Sequence, residues 1–378
     1  MNRYKRPNSS YLGIILLIIN LTVLNQCQNW EDFKKHLKPP EHKSFLEKYT
    51  DYITLAYFAE QNHALYRYIP INGQPASSIN ADQFADPYFN RNNSMKKLVL
   101  VHGWDFLERN NLPPTDKFTK VSNLLGTWGQ ALGMVNTNVA SVQTYEIYVF
   151  TYRTSDFVEN NGRRFIDTLN LYFSSTDTVI ILAHSMGGLV TRSGLYHTNN
   201  VVDIIDNVVS LGTPYYGSPF ASSSYQSSNL SVLSQLVGFM TGTEGGGNLA
   251  YTNGGLVAGA TVVPLAEIIS GAQNFYLENL IAQSSKDGKV SAYYGDMACN
   301  DMDSTAIYTS GCTFLNGGSP SFGATDGIVT TTSGHMNGRF GARAFATTFD
   351  HAQLSFRNSN TTNATNHFTT VIGYIDGL

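Results

Sequence analysis

From Lys97 onward, short continuous apolar runs alternate with segments whose apolar positions recur every three or four residues. The run KKLVLVHG, closed by Gly103, has the character of a strand buried on both faces. Residues 116–134 have helical spacing, and SVQTYEIYVFTY, Ser141 to Tyr152, predicts a second strand region. GRRFIDTLNLYF, Gly162 to Phe173, is helical; TDTVIILAH is a third strand; Gly188 to Tyr196 is a helix. IIDNVVSLGTP predicts a fourth strand ended by Gly212 and Pro214, and KVSAYYGD and ARAFATTF supply the last strands. Strands and helices that alternate through short connections imply an α/β fold with a central, mostly parallel sheet flanked by helices. No internal repeat is visible.

Two regions fall outside this rhythm. Residues 28–95 predict an N-terminal extension of helix and loop: a charged helical stretch broken by Pro39-Pro40, an amphipathic helix from Phe45 to Asn62, then a loop through Pro75 and Pro87. Residues 218–288 interrupt the alternation with the loose run GTEGGGN and apolar segments with glycine joints, NLSVLSQLVGFM and Ala258 to Ala272. Their length suits a mostly helical cap, which could act as a lid or stand as a fixed subdomain. The resulting plan is 1–27 leader or anchor, 28–95 extension, and 96–378 catalytic domain with its cap at 218–288.

Composition narrows the partners and the compartment. The chain has 378 residues, 42% of them hydrophobic, so a large core is available; the net charge is −4, with no basic block suited to a phosphate backbone. Nucleic acid is not an expected partner. Arg3, Lys5 and Arg6 precede the apolar stretch Tyr11 to Leu24, a charged n-region and a hydrophobic region of signal length. A cleaved signal is the main expectation although LNQCQNW has no obvious small-residue pair for the cut; lipid attachment at Cys27, where Asn25 and Gln26 are bulky for that signal, and an uncleaved anchor are the alternatives. Export, to the outside or to the cell envelope, is the expectation. Cys299 and Cys312 would then pair across a loop of about a dozen residues, the other reading being two buried thiols. Asn92, Asn229, Asn360 and Asn363 begin sequons that matter only in a eukaryotic host.

The stretch VIILAHSMGGLV, Val179 to Val190, carries the chemistry. An apolar strand runs into Ser185, with the small residues Ala183 and Gly187 two positions before and after it. That is the pattern of a nucleophile elbow, in which a strained strand-to-helix turn raises a serine hydroxyl and small neighbours let the chains pass. The plainer reading is a buried strand end whose serine caps a helix. His184 adjoins the serine in sequence and cannot easily serve as its base; packing or hydrogen bonding beneath the elbow is its expected role.

AHSMGG resembles the nucleophile motif of bacterial lipases of the α/β-hydrolase superfamily, in the group that carries Ala first. LVLVHGWD is similar to their oxyanion segment, VVSLGTPYYGSP to the strand after the nucleophile helix, and TDGIV and FDHAQL to their acid and base segments. The resemblance spans roughly residues 97–220 and 289–376. An ester-cleaving serine needs a base and an orienting carboxylate, and Ser, Asp, His is the superfamily's chain order. His351, after the strand AFATTF, is the best base, and Asp326, followed by Gly327, the best acid; the motifs point to the same pair. His335 and His367 are the competing histidines, the first a loop residue and the second a surface or capping residue. Asp350 would fix the base loop or bind a cation. The oxyanion hole should consist of the backbone N–H groups of Met186 and Trp104, with His102 pinning the loop and Gly103 letting it turn. In such lipases a single glycine before the oxyanion residue accompanies medium- and long-chain esters.

The chemistry requires no metal or cofactor. Relatives that carry a structural calcium often have an aspartate two residues after the base, where this chain has Gln353. Asp296, Asp301 and Asp303 around Cys299 are rich enough in oxygen for a calcium site, and more simply form a solvated turn. The expected activity is hydrolysis of lipid esters, as a triacylglycerol lipase or lipase-like esterase in transient contact with a lipid surface. A phospholipase, polyester depolymerase or other serine hydrolase is the first alternative, and a catalytically silent surface-binding domain the second.

Overall fold

The computed structural model describes residues 63–105, 117–137, 142–225, 243–254, 263–302 and 306–378. The leader, Cys27 and the Phe45–Asn62 helix lie outside these residues. Among them, no helix is long and apolar enough to cross a membrane.

The strands are β1 (Ala64–Tyr68), β2 (Phe84–Ala85), β3 (Lys96–Val101), β4 (Tyr145–Thr151), β5 (Val179–His184), β6 (Asn207–Leu211), β7 (Val290–Gly295) and β8 (Ala344–Thr347). They form one sheet in the order β2-β1-β4-β3-β5-β6-β7-β8. The strands from β4 to β8 across the sheet are parallel, while β1 is antiparallel to both β2 and β4. Residues 63–95 therefore supply two strands to the sheet itself, where the sequence pattern suggested only helix and loop.

The helices are α1 (Lys117–Thr137), α2 (Val158–Tyr172), α3 (Met186–Tyr196), α4 (Glu244–Asn248), α5 (Phe275–Ala282), α6 (Ala306–Gly317), α7 (Thr331–Gly334) and α8 (Thr361–Asp376). Alternation within the apolar runs sorts side chains to opposite faces of the sheet. Leu98, Leu100, Ile180 and Leu182 join Trp128 of α1 and Phe368 and Ile372 of α8 in one core layer. Val99, Val101, Val179, Ile181 and Ala183 join Phe165 and Leu169 of α2 and Leu189 of α3 in the other. Helix α2 begins four residues before the expected Gly162, and its buried positions Val158, Asn161, Gly162, Phe165, Ile166 and Leu169 make one helical stripe.

Within 218–288 the described helices are short. The run GTEGGGN is not loose: it contains α4, capped by the Thr243 side chain on the Gly246 amide. A β-carbon at Gly245 would lie 2.0 Å from the Thr154 carbonyl oxygen, so the glycine is what permits this contact. The apolar stretch expected as a helix from Ala258 to Ala272 has, in its described part, only a single 3-10 turn, Leu265–Glu267, entered through Pro264. Proline restrains its own φ and offers no N–H, which favours this short turn over a continuing helix. NLSVLSQLVGFM lies outside the described residues.

At the N-terminal end of β3, Lys97 is fully buried and its Nζ lies 2.6 Å from Glu146 Oε2 of β4. Arg67 of β1 reaches the other carboxylate oxygen at 3.0 Å, and Tyr148 Oη donates to Oε2 at 3.0 Å. Burial works against the Glu146 charge, but hydrogen bonds from Lys97 and the Asn92 amide outweigh it and hold the pKa below its ordinary value. A depressed folded-state pKa gives stability that is complete above the unfolded value, about 4.3, and is lost as pH falls through the folded one. Glu146→Gln should destabilise the fold by about 3–5 kcal/mol near neutrality, because it leaves Lys97 buried without its counter-charge. It should also flatten the acid limb of stability; urea titrations between pH 3 and 7 check both.

Candidate active site

Ser185 joins β5 to α3 with φ 54° and ψ −127°, a left-handed conformation that costs a non-glycine residue roughly 1–3 kcal/mol. Its amide donates to the Leu211 carbonyl of β6 at 2.9 Å, and the Gly188 amide donates to its own carbonyl at 2.9 Å. Ala183 is fully buried. A β-carbon on Gly187 would come to 2.4 Å from the His102 carbonyl oxygen, and one on Gly188 to 1.8 Å from Thr213 Oγ1. The turn is possible because these neighbours are small.

His351, in the loop after β8, places Nε2 2.9 Å from Ser185 Oγ and Nδ1 2.7 Å from Asp326 Oδ2. Its amide donates to the Asp326 carbonyl at 2.9 Å. The other carboxylate oxygen of Asp326 accepts the amides of Ile328 at 2.9 Å and Val329 at 2.6 Å. Gly327, at φ +92°, makes this turn, packed against Tyr308 of α6. All three side chains are buried. A carboxylate thus orients an imidazole, and the imidazole accepts from a serine hydroxyl: a serine ester hydrolase arrangement. The competing histidines reach neither Ser185 nor Asp326. His335 accepts the Gly338 amide through Nδ1 and packs on Tyr294. His367 is not a surface or capping residue. It lies buried within α8, bonded to the Leu354 carbonyl, and burial lowers its pKa to about 4.

The loop after β3 lies against the elbow. His102 Nε2 accepts the Tyr152 amide at 3.3 Å, so Nδ1–H donates to the Gly103 carbonyl at 2.8 Å. The ring stacks on Tyr152, whose hydroxyl donates to the His102 carbonyl at 2.7 Å. Burial lowers the His102 pKa, which keeps the ring neutral in this role. A β-carbon on Gly103 would lie 2.8 Å from Ser185 Cβ, which places the Gly103–Trp104 backbone beside the nucleophile. Met186 opens α3, where amides have no acceptor within the helix.

Asp350 fixes the base loop: its Oδ1 accepts the Ala352 and Gln353 amides, each at 3.0 Å. Gln353 folds back so that Oε1 accepts the Asp350 amide. Among the described residues no group of three or more His, Cys, Asp and Glu is placed to hold a metal ion; Asp303 lies outside them. Cys299 and Cys312 form a disulfide between the turn after β7 and α6.

Two contributors escaped the sequence reading. Gly212, at φ +62°, ends β6 beside the acid–base pair; a β-carbon there would meet His351 Nδ1 at 3.1 Å and Asp326 Oδ2 at 3.2 Å. Gly295 ends β7 against Asp326 Cβ. In the sequence each closes a strand run, VVSLG and SAYYG, a signal that marks a strand end but not its neighbour in the site.

The sheet, the elbow and the order of the three side chains make this an α/β-hydrolase fold. The model of a PGAP1-like alpha/beta domain matches residues 155–240. No curated protein matches the chain by sequence. Among solved structures, the mature Bacillus licheniformis lipase BlEst2 is similar at 16% identity and a TM-score of 0.46, over 82% of this chain and 98% of that one. The metagenomic carboxyl esterase MGS0156 is similar at 15% identity and a TM-score of 0.43, over 76% and 77% of the two chains. Legionella pneumophila phospholipase PlaB is similar at 15% identity and a TM-score of 0.37, over 65% of this chain and 46% of that one. Likenesses of this order say nothing about substrate.

Gly103→Ala should push Ser185 out of line and lower kcat by about 100-fold. Gly126→Ala, at an exposed helix position with open space around the new methyl, should leave activity intact and stabilise the fold slightly. Steady-state kinetics of the pair check whether the close approach at the elbow matters.

Proposed function

We propose that this chain hydrolyses carboxylic esters of lipids by acyl transfer through Ser185. The observation that carries the reading is the unbroken chain of hydrogen bonds from Asp326 through His351 to the Ser185 hydroxyl, at the end of a central parallel strand. His351 Nε2 takes the Ser185 proton as Oγ attacks the ester carbonyl carbon. Asp326 remains a carboxylate and stabilises the imidazolium. The Met186 and Trp104 amides hold the developing oxyanion, each worth roughly 3 kcal/mol in the transition state. The tetrahedral intermediate collapses, and the leaving alkoxide takes the proton from Nε2. Water then gives a proton to the same nitrogen as its oxygen attacks the acyl carbon, and when the acyl–Oγ bond breaks Nε2 returns that proton to Ser185 Oγ, releasing the acid.

Two exposed aromatic side chains next to the contacts that hold α4 support a greasy substrate. Helix α4 brings Gly245 against the Met186 methyl, next to the nucleophile. Asn248 of α4 accepts the Val158 amide through its side chain and the Asn274 side chain through its carbonyl. The residues flanking those two contacts, Phe157 and Phe275, are 46% and 69% exposed. The disulfide, together with the leader-like N-terminus, supports an exported protein.

Hydrolysis of p-nitrophenyl esters from acetate to palmitate tests the reading. Activity should rise toward the longer chains and vanish in Ser185→Ala, and Asp326→Asn should lower kcat by about 10⁴-fold. A strong preference for acetate would contradict the lipid assignment, and an active Ser185→Ala variant would contradict the mechanism. Comparing phospholipid vesicles with triglyceride emulsion then separates phospholipase from lipase.

A further inference from the structure

His184, the last residue of β5, stands outside the Ser185–His351–Asp326 chain yet touches two loops that complete it. Its Nε2–H donates to the His351 carbonyl at 2.8 Å, and the two rings lie 4.8 Å apart. Donation from Nε2 leaves Nδ1 as the acceptor of a neutral ring. A β-carbon on Gly103 would come within 2.8 Å of that Nδ1, so the Gly103 backbone lies directly against it. Among the described residues Nδ1 has no hydrogen-bond partner. Trp128 meets the ring edge-on from the α1 side of the sheet. The ring, 2% exposed, is therefore wedged between the base loop and the loop after β3.

We propose that His184 is a positioning residue for the catalytic base, acting through the His351 carbonyl and the Gly103 backbone; this rests on the serine-hydrolase reading above. Asp326 holds His351 at its amide and at Nδ1. Those two bonds alone leave the carbonyl end of the residue free to tilt, and a tilt carries Nε2 away from Ser185 Oγ. The bond from His184 fixes that end. A leucine could fill the space but would leave the buried carbonyl without a donor. The ring must also stay uncharged, since a cation there would oppose the imidazolium that forms on His351. The groups facing it are His351, Arg357 and His102; burial first, then the neighbouring His351 and Arg357, hold its pKa well below the ordinary value.

The test compares His184→Phe and His184→Gln with wild type and Ser185→Ala on a soluble p-nitrophenyl ester. It reads kcat and KM separately, with the unfolding temperature and the low-field proton resonance of the His351–Asp326 bond. His184→Phe keeps a ring but no donor: kcat should fall about 10- to 100-fold with KM within about twofold, and the resonance should weaken. His184→Gln can place an amide N–H near the same carbonyl and should recover most of both signals. If His184→Phe does not fold, His184→Asn replaces it, its amide being too short to reach. The proposal is overturned if the donor-less variant keeps wild-type kcat, or if Gln loses as much as Phe or Asn. Activity persisting in Ser185→Ala would instead overturn the serine-hydrolase reading, whatever the His184 variants do.

Discussion

One backbone residue in a strained conformation governs the centre of this molecule. Ser185 is held left-handed between β5 and α3, and a conformation that costs roughly 1–3 kcal/mol persists only where its surroundings enforce it. Enforcement comes from the parallel register. The β6 carbonyl of Leu211 accepts the Ser185 amide, and the close-packed glycines at 103, 187 and 188 allow no side chain between elbow and neighbouring loops. The same turn that strains the backbone lifts the hydroxyl toward His351 and aims the first amides of α3 at the space beside it.

The rest of the active region follows from which strands lie next to β5. Strand β3 ends in His102-Gly103 on one side and β6 ends in Gly212 on the other, so both loops flank the serine. Strands β7 and β8 continue the parallel series, and the chain after each returns to this edge carrying Asp326 and His351. At the opposite end of β3, the buried Lys97–Glu146 pair ties β3 to β4, with Arg67 joining from β1. Charged groups inside a sheet need mutual satisfaction, and here they join the antiparallel edge to the parallel core.

Strands β3 to β7 are legible because they are buried on both faces and so appear as apolar runs. Ser185 and His351 are legible because they stand just past strand runs, and Asp326 because TDGIV falls between them in the superfamily's chain order. What escaped has physical reasons. β1, ALYRY, is short and spends Arg67 on an ion pair, so no apolar run marks it. Helix α4 is built on three successive glycines, the poorest helix formers after proline, and the first of them, Gly245, packs against the Thr154 carbonyl where no side chain would fit. Gly212 looked like a strand terminator; only the fold shows that the His351–Asp326 pair crosses above it. The position of His184 in the chain puts it beneath the elbow, but its partner lies 167 residues later, a contact no local pattern reveals.

The most direct test of the central claim is covalent. A fluorophosphonate reacts with a serine only when a base activates the hydroxyl and donors receive the phosphoryl oxygen. Incubating the folded protein with one, then measuring intact mass and mapping the modified peptide, asks whether Ser185 is such a serine. A single adduct on Ser185, formed rapidly at neutral pH and absent in unfolded protein, is the predicted result. A folded protein that stays unlabelled, or carries its adduct on another serine, would contradict the account.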